Sequence, residues 1–400
     1  MKIESKSVRI TFLFDVMLNL FASALPIAVL QLFVYPQTAK ILGGDKYGLM
    51  LTIYSVWILV ANAIGNSLNN VKLLRNDEYI KNGLSGDFPI LLKRFSCYIS
   101  VICFFVIWFY FGNFSILHIL FGVVVALFIY LKAYFEVGFR INLNYKMIAI
   151  INVFLTIGFI IGFGLTSITG YWEFIFLCGY GISCILCILK SGLIFEKSQK
   201  TKLYKRTKFE FYSLLAASVI GFLTTYADKL VLYPLIGGTA VSIYYTATIL
   251  GKIISMITGP LNNVILSYIS KWKADKKSIL IYVLLFGVIL IVIGYFITII
   301  VGGSIIGYLF PQWKEDVLIY LPVTTITVML QLLISLIYPF TLKYCAMKWQ
   351  IIFSIIGSIV YFGCALLLWN FYGLMGFCIG TVMGESCKLF VMLLVYKKSK

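Results

Sequence analysis

Asp15, Asn19 and Ser23 recur at i, i+4 and i+8, which on a helix draws one polar stripe through an otherwise apolar stretch just ahead of Pro26. An acid on such a stripe can hold a proton or a cation, and the missing proline donor lets the helix bend. Further along, Tyr244, Thr248, Lys252, Ser255 and Gly259 fall on one face of the run at 239–267. The preceding run, 211–234, carries Gly221, Thr224 and Asp228 on a face of its own, followed by Lys229. Counted from the turn near Gly238, Asp228 and Lys252 differ in depth by roughly 6 Å at 1.5 Å per residue, so their side chains can meet. Two readings fit them: an ion pair that merely neutralises two buried charges, or a cation at Lys252 offered to a substrate passage and tuned by Asp228.

The last apolar run adds Thr381, Glu385 and Lys388, with Glu385 and Lys388 placed to pair locally or to line a cavity. Beside them Gly376, Gly380 and Gly384 have the four-residue spacing that lets helices approach closely. The segment LKAYFEVGFRINLNYK (131–146) sets Glu136 and Arg140 at i, i+4 among aromatics. It reads either as an anchor of snorkelling side chains or as a mouth facing anionic headgroups. His118 reads as an interfacial polar residue. Cys184 and Cys187 form a CxxC without a second pair, and all nine cysteines read as reduced packing residues.

These residues need elements to place them, and the composition says which. A 400-residue chain that is 61% hydrophobic and 12% charged, with mean hydropathy +0.99, is a membrane protein. Its apolar stretches are continuous rather than alternating, which selects helices and excludes a β-barrel. Runs long enough to span fall at about 10–34, 48–68, 96–114, 116–137, 148–168, 174–195, 211–234, 239–267, 278–302, 317–341, 350–369 and 371–395. Gly112, Asn113 and Ser115 divide the third from the fourth, and a tight turn near Asn370 divides the last two. The predicted fold is an all-α integral membrane protein of twelve transmembrane helices.

Charge tests that count. Of 33 Lys and Arg, only Lys40, Lys46 and Lys314 fall in loops assigned to the exterior, Lys190, Lys229, Lys252 and Lys388 fall inside spans, and Lys132, at the cytoplasmic end of the fourth run, is counted with the loop that follows it. The rest lie in alternate loops and both tails, so both termini are expected in the cytoplasm. The net charge of +18 is therefore a signature of orientation, and no single basic face points to nucleic acid. The chain has no P-loop, HExxH or nucleophile elbow and no room for a soluble catalytic domain, so enzymatic chemistry and a cofactor are not expected.

The basic linker EKSQKTKLYKRTKFE (196–210) separates six runs from six, giving expected halves at 1–205 and 206–400. Across it, 41–71 resembles 235–264: each begins with a glycine pair, follows a Tyr-Pro and closes on LNNV. Six spans per half makes the halves parallel repeats.

With these residues in view, the chain resembles the lipid-linked polysaccharide flippases of the O-antigen (Wzx) type, in the superfamily that includes MATE multidrug exporters and the peptidoglycan-precursor flippase. YPQTAKILGGDKYG (35–48) and TTYADKLVLYPLIGGTAVSIYYTATIL (224–250) carry the resemblance, over about a quarter of the chain. It implies two six-helix bundles around a central cavity. Through that cavity an undecaprenyl-pyrophosphate-linked oligosaccharide would pass from the cytoplasmic to the outer leaflet of a bacterial cytoplasmic (inner) membrane by alternating access. Lys252, Lys229 and Lys388 fit the cationic role it implies. Arg140, Asn19, Tyr244 and Thr248 complete the expected substrate-binding set, and Asp15, Asp228 and Glu385 are the expected coupling or cavity acids. Expected partners are the lipid-linked oligosaccharide, membrane lipids and other polysaccharide-assembly membrane proteins. The departure is a scarcity of intramembrane arginine. An ion-coupled multidrug or small-solute exporter of the same fold is the alternative.

Overall fold

The computed structural model describes residues 22–111, 116–194, 196–251, 276–345 and 348–398. Among them every regular element is helical, an arrangement that satisfies the backbone groups within each segment where no water can. In chain order they are α1 (Tyr35–Trp57), α2 (Ala63–Lys81), α3 (Asp87–Phe111), α4 (Ile116–Phe135), α5 (Val137–Ile141), α6 (Tyr145–Thr169) and α7 (Glu173–Lys190). Then follow α8 (Tyr204–Ile236), α9 (238–251), α10 (Lys276–Leu309), α11 (Lys314–Tyr344) and α12 (Lys348–Lys398).

Eight of the described helices are long and apolar enough to cross a membrane, or nine if the bent pair Tyr204–Leu223 and Asp228–Ile236 is one span. The protein is a multi-pass membrane protein. Two helices are folded lengths rather than single rods: the run Ala22–Lys81 covers 60 residues and breaks at Gly43 (φ 72°, ψ 176°), and α12 covers 51 residues and breaks at Gly373 (φ 55°, ψ −134°). Gly43 falls in the gap between the first two apolar runs and Gly373 close to the turn read near Asn370; α3 ends at Phe111 and α4 begins at Ile116. Most of the eighth expected span, 239–267, lies outside the described residues.

Gly43 has a counterpart. The first glycine of the matching pair in the second half, Gly237, also takes positive φ (101°), and a Cβ at either position would meet nothing within 4 Å. The internal likeness thus reproduces a backbone conformation that L side chains resist.

The chain divides into two compact units, Met1–Leu235 and Ile236–Lys400. The sequence division at 205/206 falls one helix earlier. The first half of α8 is tied into the first unit by Arg75 with Glu210, by Phe95 against Phe211 (ring centroids 4.8 Å apart) and by Ser67 Oγ donating to Ser218 Oγ at 3.2 Å. Helices α6 and α7 press together where a Cβ on Gly158 would lie 2.6 Å from Gly179 Cα, and one on Gly162 2.2 Å from Phe174 O. In the second unit, Leu333, Ile334, Ile337, Phe353 and Met392 form a core that joins α11 to both arms of α12. Those arms meet along the stripe read from the sequence: Gly376 faces Leu368 O, Gly380 faces Ala365 and Gly384 faces Tyr361. A small-residue face is what close helix contact in lipid requires.

Candidate functional site

The first unit holds a cavity of about 480 Å³ bordered by α1, α2, α4, α6, α7 and the stretch before α1. Two π-helical turns, Leu30–Val34 and Ile58–Asn62, supply part of its wall through Leu30, Ile58 and Asn62. Such wide turns release a residue from the regular ladder and re-aim side chains. Lining groups include Ser23, Asn62, Asn66, Asn152, Tyr54 and Tyr180. Asn66 Nδ2 donates to Asn62 Oδ1 at 3.1 Å, and the Tyr54 and Tyr180 hydroxyls share a hydrogen bond of 3.1 Å. The Tyr54 ring is stacked on Phe176 with centroids 4.7 Å apart. Lys132 and Glu136 also line the cavity, and Lys132 Nζ donates to Glu136 Oε2 at 3.2 Å, so the two cancel each other.

Arg140 lies at the same end. Its Nη1 donates to Asn69 Oδ1 at 2.6 Å and to Asn70 Oδ1 at 3.1 Å. Asn69, itself buried, donates in turn to the carbonyl of Ala133, a cavity-lining residue. Glu136, its i−4 neighbour, is engaged by Lys132 instead. Among the described residues Arg140 has no carboxylate partner, so its charge is oriented but not cancelled, an arrangement suited to an anion.

A second polar cavity, about 300 Å³, lies in the second unit between α11 and the two arms of α12. Gln331, Ser335, Tyr338, Ser354, Glu385 and Lys388 contribute its polar lining. Gln331 Nε2 donates to Glu385 Oε1 at 2.9 Å, and Lys388 Nζ stands 4.0 Å from Glu385 Oε2. Glu385 and Lys388 thus stand beside each other on the wall of this pocket. Thr381 lies apart from it, sharing a 2.9 Å hydrogen bond with Thr327.

The other expected residues divide as follows. Asp15, Asn19 and Lys252 lie outside the described residues, as do Ser255 and Gly259; Ser23, the last of its stripe, lines the first cavity. Asp228 receives Lys229 Nζ at 3.1 and 3.3 Å, and that ammonium also lies over the Tyr226 ring at 5.2 Å. Tyr244 is buried edge-on against Phe377, with centroids 5.6 Å apart, and Thr248 donates to the carbonyl of Tyr245 at 2.9 Å. His118 contacts Glu173 through Nδ1 and stacks on Phe111. Asn62, Asn66, Asn152, Lys132, Tyr54 and Tyr180 were not singled out from the sequence. The i, i+4 spacing of Asn62 and Asn66 was the available signal.

No family model matches the chain, and no curated protein matches it. Solved structures do. "Lipid II flippase MurJ, inward closed conformation" superposes with TM-score 0.68 and 16% identity over 98% of this chain and 87% of that one. An inward-facing multidrug resistance MATE family transporter of the MOP superfamily gives TM-score 0.65 and 13% identity over 96% and 98% of the two chains. An outward-facing structure of the same description gives 0.66 and 12%, over 96% and 94%. At such identities the likeness speaks for architecture: the chain has the multi-helix membrane fold shared by these flippase and transporter structures.

Proposed function

We propose that the protein is a flippase that carries an undecaprenyl-pyrophosphate-linked oligosaccharide, an O-antigen or capsule repeat unit, from the cytoplasmic to the outer leaflet of a bacterial cytoplasmic membrane. The observation that carries this reading is Arg140, a guanidinium held by two amide oxygens beside a cavity of amides and hydroxyls. A diphosphate bearing sugars needs an uncancelled cation together with neutral donors and acceptors to replace its water, while the polyprenyl tail stays in the bilayer. The cavity acids described, Glu136 and Glu385, each have a lysine nearby, which leaves little for a cationic drug to pair with. In this reading the functional halves are 1–205 and 206–400, both termini are cytoplasmic, and alternating access moves the headgroup. Lys252, Lys229, Lys388, Asn19, Tyr244 and Thr248 are proposed as further substrate contacts, and Asp15, Asp228 and Glu385 as coupling or cavity acids.

The test is a deletion strain complemented with wild type or Arg140→Gln. Lipid-linked repeat units should accumulate on the inner leaflet without the protein and remain there with the variant. Normal surface glycan combined with new drug sensitivity would replace this reading with the exporter, which the MATE likeness also supports.

A further inference from the structure

The stretch 196–210 is not a free loop. Asp87, fully buried at the start of α3, accepts from Thr201 N at 2.8 Å, from Thr201 Oγ1 at 2.5 Å and from Tyr79 OH at 2.6 Å. Tyr79 OH reaches on to Thr207 Oγ1 at 2.8 Å. A Cβ on Gly86 would lie 2.5 Å from the backbone of Lys197 and of Gln199, so the linker is pressed flat on the first unit. Both acids of the stretch face inward: Glu196 pairs with the buried Lys72, and Glu210 pairs with Arg75. What remains outside is Lys197, Lys200, Lys202, Lys205 and Arg206, all exposed. Arg206 is partly spoken for, 3.4 Å from both Glu78 and Glu210.

Three cations at this end lie over tyrosine rings four residues later: Lys200 over Tyr204 at 5.6 Å, Lys208 over Tyr212 at 5.7 Å and Arg94 over Tyr98 at 5.5 Å. The last two pairs stand on neighbouring helices, since Phe95 packs on Tyr212 with centroids 6.0 Å apart. In each pair the cation precedes the tyrosine, and α3 and α8 both run away from this end. The cations therefore stand outward of their rings. Tyr98 and Tyr212 are each 40% exposed and Phe209 is 72% exposed. Tyrosines on a lipid-facing surface, capped outward by basic groups, define headgroup level.

We propose that the docked linker is a ledge that binds anionic phospholipid headgroups, with Lys197, Lys200, Lys202 and Lys205 as its phosphate contacts. Charge complementarity and the aromatic pairs beneath select a lipid surface over a soluble anion. The proposal goes beyond the transport reading and does not depend on it.

The test uses the full chain in nanodiscs of phosphatidylcholine with or without phosphatidylglycerol, reading retained phosphatidylglycerol by native mass spectrometry. Wild type should retain phosphatidylglycerol in preference, and added salt should weaken this. The variant K197Q/K200Q/K202Q/K205Q should lose the preference, by roughly fivefold for each lysine that touches the surface. The matching four-arginine variant should keep it, and Lys397→Gln, in the other unit, should leave it unchanged. Should the glutamine variant fail to fold, the salt response of wild type and retention by the arginine variant decide. Equal retention by wild type and the glutamine variant, or no salt response in wild type, would overturn the proposal.

Discussion

Asn69 holds Arg140 while being held itself: its oxygen accepts from the guanidinium at 2.6 Å, and its amide donates to the Ala133 carbonyl at 2.7 Å. One buried amide thereby fixes a charge against a cavity wall. Asn69→Ala should cost about 1–3 kcal/mol in thermal unfolding, because it leaves a buried carbonyl unpaired and frees the arginine. Asn69→Asp should fold and place a carboxylate against Arg140, so glycan export should fall with surface expression intact. Export at the wild-type level in the aspartate variant would remove Arg140 from the substrate path.

His118 and Glu173 offer a contrast, since Glu173 is fully buried and its Oε2 has no hydrogen-bond partner among the described residues. Removing only the histidine should strand a buried carboxylate and cost on the order of 3–5 kcal/mol, whereas His118→Leu with Glu173→Leu should cost less than the single change. Melting temperatures of the three proteins in detergent measure this directly. A double variant less stable than the single would show that the pair stabilises by attraction.

In α12, a Cβ at Gly380 would stand 2.5 Å from Ala365 Cα, while one at Gly363 would meet nothing within 4 Å. Gly380→Val should therefore destabilise by about 1–3 kcal/mol through overpacking, and Gly363→Ala should be close to neutral. The check is the midpoint of thermal unfolding followed by near-UV circular dichroism.

Asp87→Asn should loosen the linker rather than the bundle. It removes the charge that three donors share, and trypsin should then cut at Lys200 or Lys202 several times faster while the melting temperature falls modestly. Unchanged cleavage would mean that Gly86 and the ion pairs suffice to hold the linker.

The all-helical membrane fold, the break near Asn370 and the glycine stripe of α12 were legible because membrane helices announce themselves by length and small residues by spacing. The first cavity was less so. Asn62, Asn66, Asn152, Tyr54 and Tyr180 are scattered over five elements, and single polar residues in apolar runs carry no local mark of what they face. Lys132, at the cytoplasmic end of the fourth run, looks from the sequence like one more interfacial cation, yet it lines the cavity. Arg140 stood out by charge, but its partners lie about 70 positions away. Lys72 and Arg75 were likewise counted as loop charges. The structure instead extends α2 to Lys81 and gives both residues ion pairs.

The turn glycines Gly43 and Gly237 face empty space, so nothing there forbids bulk. What excludes alanine is handedness alone. A mirror-image alanine, installed at either position by semisynthesis, would sit comfortably where its natural enantiomer strains, and the corner linking the two helices would become stiffer rather than weaker.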